Sequence, residues 1–132
     1  MRILVIDEIE VALLFQESLE RQGHRVTIAA EGAEALALLS QSRPDAVFLE
    51  LRLPGMSGLE VLRRIRSIEP ELPVIILTSS AVRQEIERAR RLGVTDVVEK
   101  PELLKELQVI LTRLKNLGRR PLKARGRGTS SA

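Results

Sequence analysis

Four places along this chain put oxygen- or nitrogen-bearing side chains directly behind a short, mostly apolar run. Asp7 and Glu8 follow ILVI, Glu50 follows AVFL, Thr78, Ser79 and Ser80 follow VIIL, and Lys100 and Pro101 follow VVE. Any one of these has an ordinary reading, because strands end at the surface and polar residues end strands. Three carboxylates, several hydroxyls and an amine brought to one rim are harder to dismiss. Carboxylates held within several ångströms repel, so such a rim binds a cation, recruits the amine of Lys100, or raises the pKa of one carboxyl. Oxygen-only ligands of this kind suit Mg²⁺, with Asp7, Glu8 and Glu50 as the candidate metal set.

The elements that must carry these residues follow from periodicity. Ile3 to Ile6, Val26 to Ile28, Ala46 to Leu49, Val74 to Leu77 and Val97 to Val98 have the length and composition of strands buried on both faces, which suggests a parallel sheet. Between them come single apolar stripes at helical spacing: Val11, Leu14, Phe15 and Leu19; Ala35, Leu36 and Leu39; Val61, Leu62, Ile65 and Ile68; Val82, Ile86 and Ala89; and Leu104, Leu107, Leu111 and Leu114. Gly23, Pro44, Pro70, Pro73, Gly93 and Pro101 fall between elements or at their first turn. Strict alternation of five strands with five helices implies right-handed crossovers and helices on both faces. Chemistry in such sheets collects beyond the carboxyl ends of the strands, where the polar residues lie.

Composition narrows the function further. A chain of 132 residues, 44% hydrophobic and 30% charged, is sized for one core and reads as a globular protein of the cytoplasm. No apolar run approaches the roughly 20 residues of a membrane span. The acidic pair at Asp7 and Glu8 comes too early for a secretory signal. Without cysteine there is no disulfide, thiolate nucleophile or Cys-based zinc site, and His24 alone cannot furnish a His-rich metal cluster. The net charge of +3 is unevenly spread: Arg119, Arg120, Lys123, Arg125 and Arg127 face no acid after Gly118, leaving 16 basic and 18 acidic residues in the body, a net of −2. Residues 1–117 are therefore expected to be one domain, and 118–132 a basic, flexible tail or linker. Any contact with nucleic acid would run through that tail.

Taken together and in order, ILVIDE, LELRLPGMSGLEVLRRIR, VIILTS and VVEKP resemble the response-regulator receiver domains of two-component signalling, over residues 2 to about 117. The resemblance implies a flavodoxin-like, CheY-like (βα)5 fold, with a five-stranded parallel sheet in the order 2-1-3-4-5 and helices on both sides. It implies that Asp7 and Glu8 match residues that hold Mg²⁺. The position of Glu50 carries, in the family, an aspartate that accepts phosphoryl from a histidine kinase, and Thr78 and Lys100 match residues that bind the phosphoryl oxygens. Pro101 resembles a family proline that often follows a cis peptide bond.

Two residues depart from that pattern. Glu50 has the charge of aspartate but projects its carboxylate further by about one methylene, on the order of an ångström, and in-line attack is sensitive to such misplacement. Its carboxylate could reach the volume a phosphoryl group would occupy and meet Lys100 and Thr78, or simply neutralise Lys100. Val97 stands where receivers commonly hold a tyrosine or phenylalanine that swings inward, and the chain's two aromatics, Phe15 and Phe48, lie in core stripes instead.

The expected function is a receiver module in a phosphorelay, not an enzyme, degenerate at its acceptor and binding a histidine kinase, phosphotransfer protein or downstream effector in a largely fixed state. The competing readings are a phosphorylatable Mg²⁺-dependent switch and a small flavodoxin-like enzyme. The last would need a phosphate cradle where Asp7 and Glu8 repel phosphate. Leu53, Pro54 and Gly55 are expected to shape the turn after the third strand, and Gly58 to let the next helix pack closely. The arginine-rich fourth helix (Arg83, Arg88, Arg90, Arg91) reads as a solvated face, with homodimerisation as its alternative use.

Overall fold

The computed structural model describes residues 1–78, 83–99, 113, 114, 116 and 117. Five strands, β1 (Arg2–Ile6), β2 (Arg25–Ala29), β3 (Ala46–Glu50), β4 (Val74–Thr78) and β5 (Asp96–Glu99), alternate with α1 (Ile9–Arg21), α2 (Gly32–Gln41), α3 (Gly58–Ile68) and α4 (Arg83–Arg91). Every neighbouring pair is parallel and the order is β2-β1-β3-β4-β5, as expected. Most of the expected fifth helix lies outside the described residues. Of its apolar stripe Leu114 is described, and it is buried.

Pleating sorts the strand side chains into two cores. Ile3 and Val5, Ala46 and Phe48, Ile75 and Leu77 face Ala12, Phe15 and Leu19 of α1 and Leu114. Leu4 and Ile6, Val47 and Leu49, Val74 and Ile76 face the other way, against Ala35 and Leu39 of α2, Val61, Leu62 and Ile65 of α3, and Ala89 of α4. Phe15 meets Phe48 edge to face, with ring centroids 5.9 Å apart. Both aromatics are thus built into the first core.

Burial on both faces holds for β3 and β4 and for all of β1 beyond Arg2, but not for β2 or β5. Those two are the sheet edges, where Arg25 and Thr27 face solvent and Asp96 and Val97 are half covered. Two helical stripes are also narrower than expected. Leu14 is 66% exposed and Ile68 56% exposed. Leu14 lies about 100° around the helix from Phe15, outside the arc that Ala12, Phe15 and Leu19 share. Ala12, too small to weigh in a hydrophobicity pattern, takes the inward place.

Helix ends are settled locally. After α1, the Gly23 and His24 amides donate to the carbonyls of Glu20 and Leu19; after α4, Gly93 and Val94 donate to Arg90 and Ala89. Both turns use a glycine at positive φ, 93° and 82°, so the expected breaks at these two residues are the caps themselves. At the start of α3 the Ser57 hydroxyl accepts from the Glu60 amide at 3.2 Å. The Glu60 carboxyl is held below its ordinary pKa chiefly by the Arg64 hydrogen bond, with Arg63 adding to it against the desolvation cost.

Candidate functional site

The carboxyl ends of the three central strands bring Asp7, Glu50 and Thr78 to one rim. The register pairs Ile6 with Leu49 and Glu50 with Leu77, so Asp7, one residue past Ile6, comes level with Glu50 on the adjacent strand, and Thr78 stands one step further along β4. Adjacent strands lie roughly 4.8 Å apart, which sets the scale of the separation. Asp7 is 1%, Glu50 4% and Thr78 1% exposed. Asp7 continues the face of Ile3 and Val5, and Glu50 that of Ala46 and Phe48; Thr78 follows Val74 and Ile76 on the other.

Each buried carboxylate is oriented by a backbone amide. The Glu8 N–H donates to Asp7 Oδ1 at 2.7 Å, and the Arg52 N–H donates to Glu50 Oε2 at 2.9 Å. Asp7 is further fixed through its own N–H, which donates to the Ala29 carbonyl at 3.1 Å and so extends the β1–β2 ladder into the site. Glu8 is exposed at the N-cap of α1 and makes no capping hydrogen bond.

The rim is made rigid from below by Gly58. Its amide donates to the Leu51 carbonyl at 2.9 Å. A Cβ built at Gly58 would lie 2.3 Å from the Glu50 carbonyl oxygen and 2.6 Å from Leu51 Cα, so only glycine lets α3 start this close to the end of β3. The expected close packing of Gly58 is therefore packing against the site's own backbone. Gly55, at φ 76°, makes the turn expected of the Leu53–Pro54–Gly55 loop.

The oxygen-only donor chemistry of Asp7, Glu8 and Glu50 suits a hard cation. Among the described residues, however, no group of three or more His, Cys, Asp or Glu side chains is gathered as a metal site. The physical reason is visible in the bonds above: Asp7 and Glu50 are turned onto backbone amides and Glu8 points to solvent. The three acids of the expected set share a rim without closing round one point.

Lys100, Ser79, Ser80 and Pro101 lie outside the described residues. Val97 is half buried on β5, opposite Ile76, and packs at the fringe of the second core. His24 is buried before β2 at the far, amino end of the sheet, its Nδ1 2.9 Å from the Met1 amino nitrogen, and so takes no part in the rim. What the sequence reading missed is Arg52. Its amide holds Glu50, and its guanidinium lies 3.4 Å from Glu85 of α4. An acid followed two residues later by a free backbone amide at a strand end is a turn signal that could have found the first of these contacts.

Among the described residues no helix is long and apolar enough to cross a membrane. The response regulator receiver domain model matches residues 3–112. The response regulator MprA of Mycolicibacterium vanbaalenii is 39% identical over 132 residues, covering 99% of this chain and 56% of that protein. Sporulation initiation phosphotransferase F of Bacillus subtilis is 31% identical, covering 80% of this chain and 86% of its own length. The non-phosphorylated HemR receiver domain of Leptospira biflexa superposes with a TM-score of 0.82 at 35% identity, over 90% of this chain and 97% of that one. The chain spans about half the length of the MprA relatives it matches. With the acidic rim, the 2-1-3-4-5 sheet and the family match in agreement, the chain belongs to the response-regulator receiver domains and is the receiver module of a two-component response regulator.

Proposed function

We propose that this receiver module is degenerate at its acceptor position and works as a protein-interaction domain in one largely fixed state, without catalytic turnover of its own. The observation that carries this reading is the Glu50 carboxylate, buried at the end of β3 and engaged by the Arg52 amide at 2.9 Å. The extra methylene moves the carboxylate oxygens by on the order of an ångström from where an aspartate would present them, and attack in line on a phosphoryl donor tolerates little displacement. A carboxylate that already fills the rim also supplies negative charge there at all times, where a transferred phosphoryl group would supply it only transiently. Lys100 and Thr78 are the groups that would meet that charge.

Asp7 and Glu8 are the residues that would hold Mg²⁺, weakly, because Glu50 paired with Lys100 competes for the same site. When bound, the ion would neutralise and orient phosphoryl oxygens. The partners of this state are a histidine kinase or phosphotransfer protein, or a downstream effector in the cytoplasm. The relatedness to a sporulation phosphotransferase and to a response regulator supports that class of partner.

The test is intact-mass measurement with acetyl phosphate and Mg²⁺. The parent should gain no adduct, while Glu50→Asp should gain one phosphoryl group, since shortening the side chain restores the reach at which Thr78 and Lys100 could surround it. Ready labelling of the parent would retire the fixed-state reading in favour of a phosphorylatable switch. An unlabelled aspartate variant would place the loss of function beyond Glu50.

A further inference from the structure

Helix α4 is held at its two ends in unequal ways, and both holds come from one stretch of chain, α3 and the loop leading into it. At the carboxyl end Arg66 forms a clasp: its Nε donates to the Leu92 carbonyl at 2.9 Å, one terminal nitrogen to the Gly93 carbonyl at 2.8 Å and the other to the Glu69 carbonyl at 3.1 Å. Carbonyls at a helix end lack intrahelical donors, and a positive charge there complements the helix dipole. Arg66 is half buried; burial lowers its pKa and Glu71 opposes the shift, but a guanidinium stays charged throughout. Ala89, the buried residue of α4, lies in the same half of the helix.

The amino end is held differently. Arg52 and Glu85 form an ion pair at 3.4 Å, with the Arg52 side chain 59% exposed. Exposed pairs of this kind are weak. Yet the backbone amide of that same Arg52 is the group captured by the Glu50 carboxylate. The acceptor position is therefore two bonded contacts away from α4, on the side where α4 is most loosely held.

We propose that α4 pivots on the Arg66 clasp, and that the Arg52–Glu85 pair is a catch on its amino-terminal end whose position is set by the Glu50 carboxylate. A change at Glu50 moves the Arg52 amide, the loop then re-aims the guanidinium, and Glu85 is released while the carboxyl end of α4 stays in place. The inference deepens the fixed-state reading, on which it rests, by naming what fixes α4. Its test uses no phosphodonor, so either can fail without the other.

Because the chain has no cysteine, nitroxide labels can be placed singly. One label at Glu20 on α1, paired with a second at Gln84 or at Arg91, reports each end of α4 by pulsed electron–electron resonance; all three positions are exposed. Glu85→Gln and Arg52→Ala should each raise the population of displaced Glu20–Gln84 distances by about two- to five-fold, as loss of an exposed ion pair allows, and leave Glu20–Arg91 unchanged. Glu50→Ala should do the same, and adding Arg52→Ala to it should have no further effect. Arg66→Lys, chosen because Arg66→Ala risks misfolding, should displace the Arg91 label as well. The proposal is overturned if the catch variants move both labels alike or neither, if Glu50→Ala and Arg52→Ala add fully, or if Arg66→Lys leaves Arg91 in place.

Discussion

The central strands β1, β3 and β4 and the edge strands β2 and β5 belong to one sheet but are held by different forces. In β3 and β4 every residue is buried, and the described site residues Asp7, Glu50 and Thr78 all stand at the ends of central strands. At the β5 edge the holds are ionic and partly solvated: Arg113 with Asp96 at 2.5 Å, and Arg52 with Glu85 on neighbouring α4. Close-packed interiors resist displacement by fractions of an ångström, whereas exposed ion pairs exchange partners at little cost. The positional accuracy of the rim thus comes from the dry centre, and the parts able to move lie at one edge.

That contrast can be broken most directly by emptying the centre. Phe48→Ala should lower stability by about 3–5 kcal/mol in denaturant titrations, because the cavity opens beneath both Phe15 and the rim. Val26→Ala on the edge strand should lose only about 1 kcal/mol. Equal losses would mean that centre and edge are not distinct. Next in size, Gly58→Ala should destabilise by about 1–3 kcal/mol, since the added methyl meets backbone on β3 and neither atom can rotate away. In the Glu50→Asp background it should also reduce phosphoryl labelling, and unaltered labelling would show that α3 does not brace the site.

A smaller effect is expected from Lys100→Ala. Removing the cation that competes at the rim should tighten Mg²⁺ binding in calorimetry, and tight binding by the parent that weakens in the variant would rule out the Glu50–Lys100 pairing. Smallest of all, truncation after Leu117 should leave cooperative unfolding nearly unchanged, since the centre and both edges are built from residues before it. A large loss of stability would put the domain boundary further along the chain.

The strand runs were legible because buried parallel strands are written as unbroken aliphatic stretches. The reading stopped one residue short at β3 and β4, where Glu50 and Thr78 proved to be the last rungs of the ladder and not loop residues. An apolar run has no way to include its polar last member, although the backbone pairing does. Leu14 was misplaced for a related reason: hydrophobicity marked it as inward, and geometry gave that place to Ala12.

By itself the sequence determined the alternation of strands and helices, the glycine caps after α1 and α4, and the arrival of Asp7, Glu50 and Thr78 at strand ends, because these depend on residues near one another along the chain. Only the tertiary structure decided that Glu50 is held by the Arg52 amide, that Gly58 braces the β3 backbone, and that Arg66 and Arg52 hold opposite ends of α4. A side-chain torsion chooses among several nearby partners. Contacts such as Arg66 with Leu92, or Arg52 with Glu85, join residues 26 and 33 positions apart, and those distances are closed by the crossovers of the sheet, not by any local pattern.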